Sequence, residues 1–149
     1  MTISKTLAAG LLLLSPTLYA GNTIEIDVRQ LLPGEVATLR VGGDKFYVIR
    51  RTPAERERLS NASATPGDRV PLRNGYRSIR PELFIVYASC PGSKEESTYA
   101  QGEGFFCPGG AAYDLAGRSR TGESLSTPEY RYKGEFTIVI RSLGRVRDT

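Results

Sequence analysis

Three neighbouring segments near the start of the chain have the composition of strands, and in the first two of them apolar and polar residues alternate with a period of two. These segments are TIEIDVRQL (23–31), EVATLRV (35–41) and KFYVIRR (45–51), and glycine-containing turns separate them. Such alternation is typical of strands with one buried face, and short turns join antiparallel neighbours. The pattern therefore predicts an antiparallel meander.

A single short helix is predicted directly after the meander. In TPAERERL (52–59), Thr52 can cap the helix, Pro53 suits its first position, and Glu55 stands three residues after the cap. The polar stretch that follows, over 60–75, predicts a surface loop.

The second half of the chain has shorter apolar runs separated by turn-forming residues. PELFIVYASC (81–90) is too short for a buried helix and predicts a buried strand. The composition as a whole favours an all-β or β-rich fold. The remaining predictions are a loop over 91–104, a brief strand over 105–107, a second loop over 108–112, a tight turn between two short strands over 113–118, and a strand–turn–strand unit over 126–141 that turns at Lys133-Gly134.

The first 20 residues have the composition of a targeting segment. Lys5 precedes an apolar run over 7–14, and a small residue, Ala20, ends the segment. This layout predicts a Sec-type signal peptide over 1–20, periplasmic export, and a mature domain over 21–149. An uncleaved anchor is the alternative, but a span needs about 20 apolar residues, and Pro16 interrupts this run.

The net charge and the reactive side chains of the chain limit which kinds of function it can have. Without Lys5, 19 basic residues face 16 acidic ones, a net charge of +3, and the basic residues are spread along the chain. We therefore expect no nucleic-acid partner. The chain has two cysteines, Cys90 and Cys107, and no histidine. In an exported protein this composition predicts one disulfide, worth about 3 kcal/mol for a loop of about 18 residues. It offers no catalytic triad and no metal-ligand cluster, so no catalytic residue is assigned.

Three segments in order resemble the Rieske iron–sulfur protein family of ubiquinol–cytochrome c oxidoreductases. They are GEVATLRVGGDKFYVIRRTPAE (34–55), SIRPELFIVYASC (78–90) and GFFCPGGAAYDLAGRSRTG (104–122), and the likeness extends over about 24–140. The resemblance implies an all-β Rieske-like antiparallel β-sandwich with one short helix and two loops at a tip that holds the cluster.

The ligand set of that family is incomplete in this chain. The family binds a [2Fe–2S] cluster with two cysteines and two histidines. Cys90 and Cys107 match the cysteine ligands, whereas Gly92 and Gly110 stand where the histidines would be. The resemblance therefore implies a degenerate site without a metal or cofactor. Retention of a [2Fe–2S] cluster is the alternative.

The family also ties its two loops together with a disulfide, whose cysteine positions are occupied here by Glu95 and Gly109. We therefore predict that a Cys90–Cys107 disulfide replaces both the cluster and that older bond. A redox-active dithiol, and hence a thiol redox protein, is the alternative. Neither cysteine belongs to a Cys-x-x-Cys pair, and no histidine is present to lower a thiol pKa.

These observations predict a binding or accessory subunit of a respiratory, cytochrome bc-type complex, with membrane association only through that partner. The alternative is an electron-transfer Rieske subunit, which would make the protein part of an oxidoreductase. The candidate docking surface consists of both loops, 91–95 and 108–112, and its central residues are Pro91, Gly92, Ser93, Pro108, Gly109, Gly110 and Ala111.

Overall fold

The computed structural model describes residues 17–19, 23–41, 43–60 and 75–141, which form ten strands and one helix. The strands pair into three antiparallel sheets, in the orders β1-β2-β10-β9, β3-β4-β5 and β6-β7-β8. The bounds are β1 Thr17–Tyr19, β2 Thr23–Asp27, β3 Val36–Val41, β4 Asp44–Arg50, α1 Pro53–Leu59, β5 Leu83–Tyr87, β6 Thr98–Ala100, β7 Gly104–Phe106, β8 Ala112–Tyr113, β9 Glu129–Lys133 and β10 Thr137–Arg141.

The sheet β1-β2-β10-β9 and the sheet β3-β4-β5 enclose the main core. Alternate residues of β2, Ile24 and Ile26, are buried in it, and so are Ile138 and Ile140 of β10. The sheet across the core, β3-β4-β5, contributes Val48 among others. The predicted three-strand meander is therefore wrong in its pairing, because β2 pairs with β1 and β10 rather than with β3, and a local pattern does not specify which strands become neighbours. The period-two pattern of β2 is explained because alternate residues of this strand face the core. The structure confirms the predicted all-β fold.

The middle sheet, β3-β4-β5, is buried on both of its faces. Phe46 and Val48 of β4 belong to the main core, while the intervening Tyr47 and Ile49 belong to a second core on the opposite face. All residues of β5 are buried for the same reason. A strand covered on both faces has a continuous apolar run rather than an alternating one, which confirms the buried strand predicted within 81–90.

The third sheet covers the second core and carries the tip of the molecule. Phe105 of β7 is fully buried there and packs against Tyr99 of β6, with ring centroids 5.0 Å apart. The prediction of an unbroken loop over 91–104 is wrong, because β6 lies within it. Three residues are too few to show a period, and only the long-range pairing of β6 with β7 defines this strand.

The helix α1 has the predicted capping box. Thr52 Oγ1 accepts a hydrogen bond from the Glu55 backbone N–H at 3.2 Å, and the Glu55 carboxylate accepts one from the Thr52 N–H at 2.7 Å. These bonds satisfy amide groups that the first turn of a helix leaves without partners. The helix therefore starts where the sequence predicts.

Several predictions fall on residues outside the described ranges. These are most of the signal peptide and the 61–74 part of the surface loop. Of the signal segment, only β1 is described, and it pairs with β2. Within the described ranges, no helix has the length and apolar character needed to cross a lipid bilayer.

Candidate functional site

The two cysteines form a disulfide that joins the two tip loops. Cys90 follows the buried strand β5, and Cys107 directly follows β7. Their Cα atoms are 6.1 Å apart, and the two residues are 6% and 8% exposed. The bond links segments that are 17 residues apart in sequence, as predicted.

The first loop is closed by its own backbone. The Cys90 N–H donates to the Glu95 carbonyl at 2.8 Å, and the Ser93 N–H donates to the Cys90 carbonyl at 3.2 Å. Gly92 adopts a φ of +69°, in the left-handed region that glycine tolerates best. Hydrogen bonds within the loop therefore fix the position of Cys90.

The second loop is closed in the same way. The Cys107 N–H donates to the Ala111 carbonyl at 2.9 Å, and the Gly110 N–H donates to the Cys107 carbonyl at 3.2 Å. Gly109 and Gly110 have φ values of +95° and +99°. Two successive left-handed residues make this a sharp turn that glycine permits at little cost.

Gly92 and Gly110, which stand where the resemblance places the family's histidine ligands, are both exposed. A Cβ atom added to either residue would meet no atom within 4 Å. The space around both positions would therefore admit a side chain, so packing does not require glycine there. Any side chain there would face backbone strain rather than a collision.

The residues present do not fit a cluster held by two cysteines and two histidines. Each cysteine Sγ is bonded to the other, so neither is a free thiolate, and the sequence contains no histidine. Within the described ranges, no group of three or more His, Cys, Asp or Glu residues is placed to hold a metal ion. The nearby Glu96 instead forms an ion pair with Arg40 at 2.9 Å.

The part of the tip that the second loop forms has an uncharged outer surface. The second loop exposes Pro108, Gly109 and Gly110 without any charged side chain, and Phe106 beside it is 42% exposed. Sequence reasoning missed Phe106, although alternation along β7 is the signal that could have found it, since its neighbour Phe105 is fully buried.

Two buried arginines at the base of the tip were also missed. The Arg77 guanidinium donates to the carbonyls of Ala116 at 2.7 Å and Leu125 at 2.9 Å. Arg51 is 2% exposed and lies 4.5 Å from the centroid of the Phe84 ring, and burial lowers its pKa to about 10. Both side chains connect the β-sandwich to the segment that supports the tip.

A cleft of about 390 Å³ opens beside the disulfide, on the side of the first loop. It lies between that loop and the segment 123–126, and two of its lining residues, Lys94 and Glu123, are charged. Its lining residues are Ser89, Cys90, Pro91, Gly92, Ser93, Lys94, Glu123 and Ser126.

The fold and the tip define a Rieske-like β-sandwich protein in which a disulfide joins the two tip loops. The chain is similar to the Rieske-3 subunit of the mitochondrial cytochrome b-c1 complex of Nicotiana tabacum, with 29% identity over 124 residues, 79% of this chain and 46% of the relative. It is also similar to the Rieske-1 subunit of Arabidopsis thaliana, at 28% identity, and to the Rieske subunit of Zea mays, at 27%, each over 79% of this chain and 45% of the relative.

These likenesses confirm the resemblance to Rieske proteins that the sequence predicts. No protein-family model matches it. The chain spans somewhat less than half the length of these curated relatives.

Proposed function

We propose that this protein is a cluster-free Rieske-fold subunit that binds a cytochrome bc-type respiratory complex through its tip. The observation that carries the proposal is the disulfide between Cys90 and Cys107, the two residues that match the family's cysteine ligands. Sulfur atoms bonded to each other cannot also serve as the thiolates that an iron–sulfur centre requires. With no histidine in the sequence, the usual ligand set is missing.

The disulfide takes over the mechanical role of a cluster. Backbone hydrogen bonds within each loop close that loop on itself, and the disulfide adds a covalent bond between the two loops. The tip thus keeps its shape without iron, which suits a binding role rather than electron transfer.

The partner is inferred from the relatives and from the character of the tip. The relatives are named as subunits of the cytochrome b-c1 complex. The uncharged second loop and Phe106 present an apolar surface that a partner protein could bury. Export to the periplasm through residues 1–20 is part of the proposal, and contact with the membrane occurs through the complex.

Iron analysis of the purified protein tests the absence of the cluster. We expect no stoichiometric iron, no visible absorption, and no paramagnetic resonance signal after reduction. A coloured protein with two irons per chain would instead support the electron-transfer Rieske subunit.

Copurification from membranes tests the docking surface with a matched pair of variants. Phe106 and Phe136 are each 42% exposed, but only Phe106 lies at the tip. We expect Phe106→Ser to weaken recovery of bc-type subunits and Phe136→Ser to leave it unchanged. Equal recovery with both variants would contradict docking through the tip.

A further inference from the structure

We propose that the tip disulfide is a thiol–disulfide exchange site in which an incoming thiolate attacks Cys90 through the adjacent cleft and Cys107 leaves. This inference does not rest on the proposed function, because the exchange requires only the disulfide and the cleft.

The first argument is position. Cys90 lines the cleft, whereas Cys107 and the rest of the second loop do not. The two cysteines are almost equally shielded, at 6% and 8% exposure, so exposure alone does not distinguish them. The cleft distinguishes the two cysteines, because it opens beside Cys90, between the first loop and the segment 123–126, and not beside Cys107.

The second argument is size. At about 390 Å³, the cleft falls within the range of roughly 300–1,000 Å³ that is typical of small-molecule sites. It can therefore admit a small thiol or a cysteine-bearing loop of another protein. The small thiol and the cysteine-bearing loop would both react through a thiolate.

The third argument is charge. Lys94 lines the cleft and is exposed, so its ammonium group favours an approaching thiolate over a neutral thiol. Glu123, on the opposite wall, opposes a second negative charge. The balance favours a thiol that carries few negative charges beyond its thiolate.

The fourth argument is that the bond can open without unfolding the loops. The hydrogen bonds from the Cys90 N–H to Glu95 and from the Cys107 N–H to Ala111 lie within separate loops. Both can persist when the sulfurs part. The reaction can therefore run in either direction on the folded protein.

The chemistry balances as two successive exchanges. A thiolate forms a bond to the Cys90 Sγ, the Cys90–Cys107 bond breaks, and Cys107 leaves as a thiolate that takes a proton from water. A second thiolate then attacks the reductant's sulfur in the mixed disulfide and releases Cys90. The protein gains two electrons and two protons, and two thiols of the reductant become one disulfide.

The test is to map the first adduct. The folded, oxidised protein is treated with glutathione, quenched with acid, alkylated and analysed by peptide mass spectrometry. We expect glutathione on Cys90 and the alkyl group on Cys107. The reverse pattern, an equal mixture, or reaction only after unfolding would overturn the proposal. The same experiment with a protein dithiol of the thioredoxin type shows whether the small thiol or the protein thiol reacts faster with the disulfide.

Matched variants test the route. We expect Lys94→Gln to slow exchange with glutathione by about threefold, the scale of one exposed charge interaction. Lys133→Gln makes the same charge change on β9, outside the cleft lining, and should leave the rate unchanged. Equal effects of the two variants would overturn the assignment of the cleft as the entry path.

Discussion

Replacing the buried Arg51 with methionine should strongly destabilise the junction between the β-sandwich and the tip. Methionine fills similar space but donates no hydrogen bond. The guanidinium has four acceptors, which are Tyr76 O at 2.7 Å and Ser78 Oγ, Pro81 O and Leu115 O at 3.2 Å each.

Two opposing effects determine the size of the loss. A hydrogen bond from a charged donor contributes about 1.5–3 kcal/mol, so four of them contribute at least about 6 kcal/mol. Against this, burial lowers the pKa of Arg51 from 12.5 to about 10, which corresponds to a cost of about 3 kcal/mol for keeping the charge. The hydrogen bonds outweigh that cost, so we expect Arg51→Met to lose about 3–5 kcal/mol, the range found when a buried charge network is broken.

Equilibrium urea unfolding of the wild-type protein and the variant measures this difference. Arg131→Met is the matched control, because Arg131 is exposed on β9 and its replacement should change stability by no more than about 0.5 kcal/mol. A loss below about 1 kcal/mol for Arg51→Met would refute the reasoning, since it would mean that burial cancels the hydrogen bonds.

Three further predictions concern the tip and the core. Removing the disulfide with Cys90→Ala and Cys107→Ala should cost about 3 kcal/mol in urea unfolding; a cost below 1 kcal/mol would show that the bond constrains the chain little. Gly104→Ala should disrupt the third sheet, because its Cβ would lie 2.0 Å from a backbone carbonyl of β8, whereas Gly110→Ala should cost only about 1–3 kcal/mol of strain; similar circular dichroism and melting for the two variants would contradict this. Burial raises the pKa of Tyr130 from 10.0 to about 12, so stability should hold below pH 10 and fall by about 1.4 kcal/mol by pH 11 from this residue; Tyr130→Phe should make the decline measurably shallower.

Local patterns were sufficient for the individual strands and for the helix, whereas the β-sandwich was implied by the family resemblance. The alternation in 23–31 and 35–41 predicted strands with one buried face, and the apolar run within 81–90 predicted a buried strand. Thr52 and Glu55 predicted the start of the helix because a capping box involves only residues three positions apart. Each of these signals lies within a few residues of the structure that it specifies.

The candidate site required more than local pattern. The sequence supplied Cys90 and Cys107 as the sole cysteines, and the lack of histidine limited what they could bind. It did not reveal β6, which exists only because Thr98–Ala100 pairs with β7. Nor did it reveal the cleft, which brings Glu123 close to the first loop.

The sequence by itself determined the strand pattern, the capped helix and the shortage of metal ligands, because these depend on residue identity and on near neighbours. Tertiary structure alone decided that backbone carbonyls accept hydrogen bonds from the buried Arg51 and Arg77, and that one side of the disulfide opens into a cleft. These contacts join segments far apart in the chain, and no short-range regularity of the sequence records which distant segments pack together.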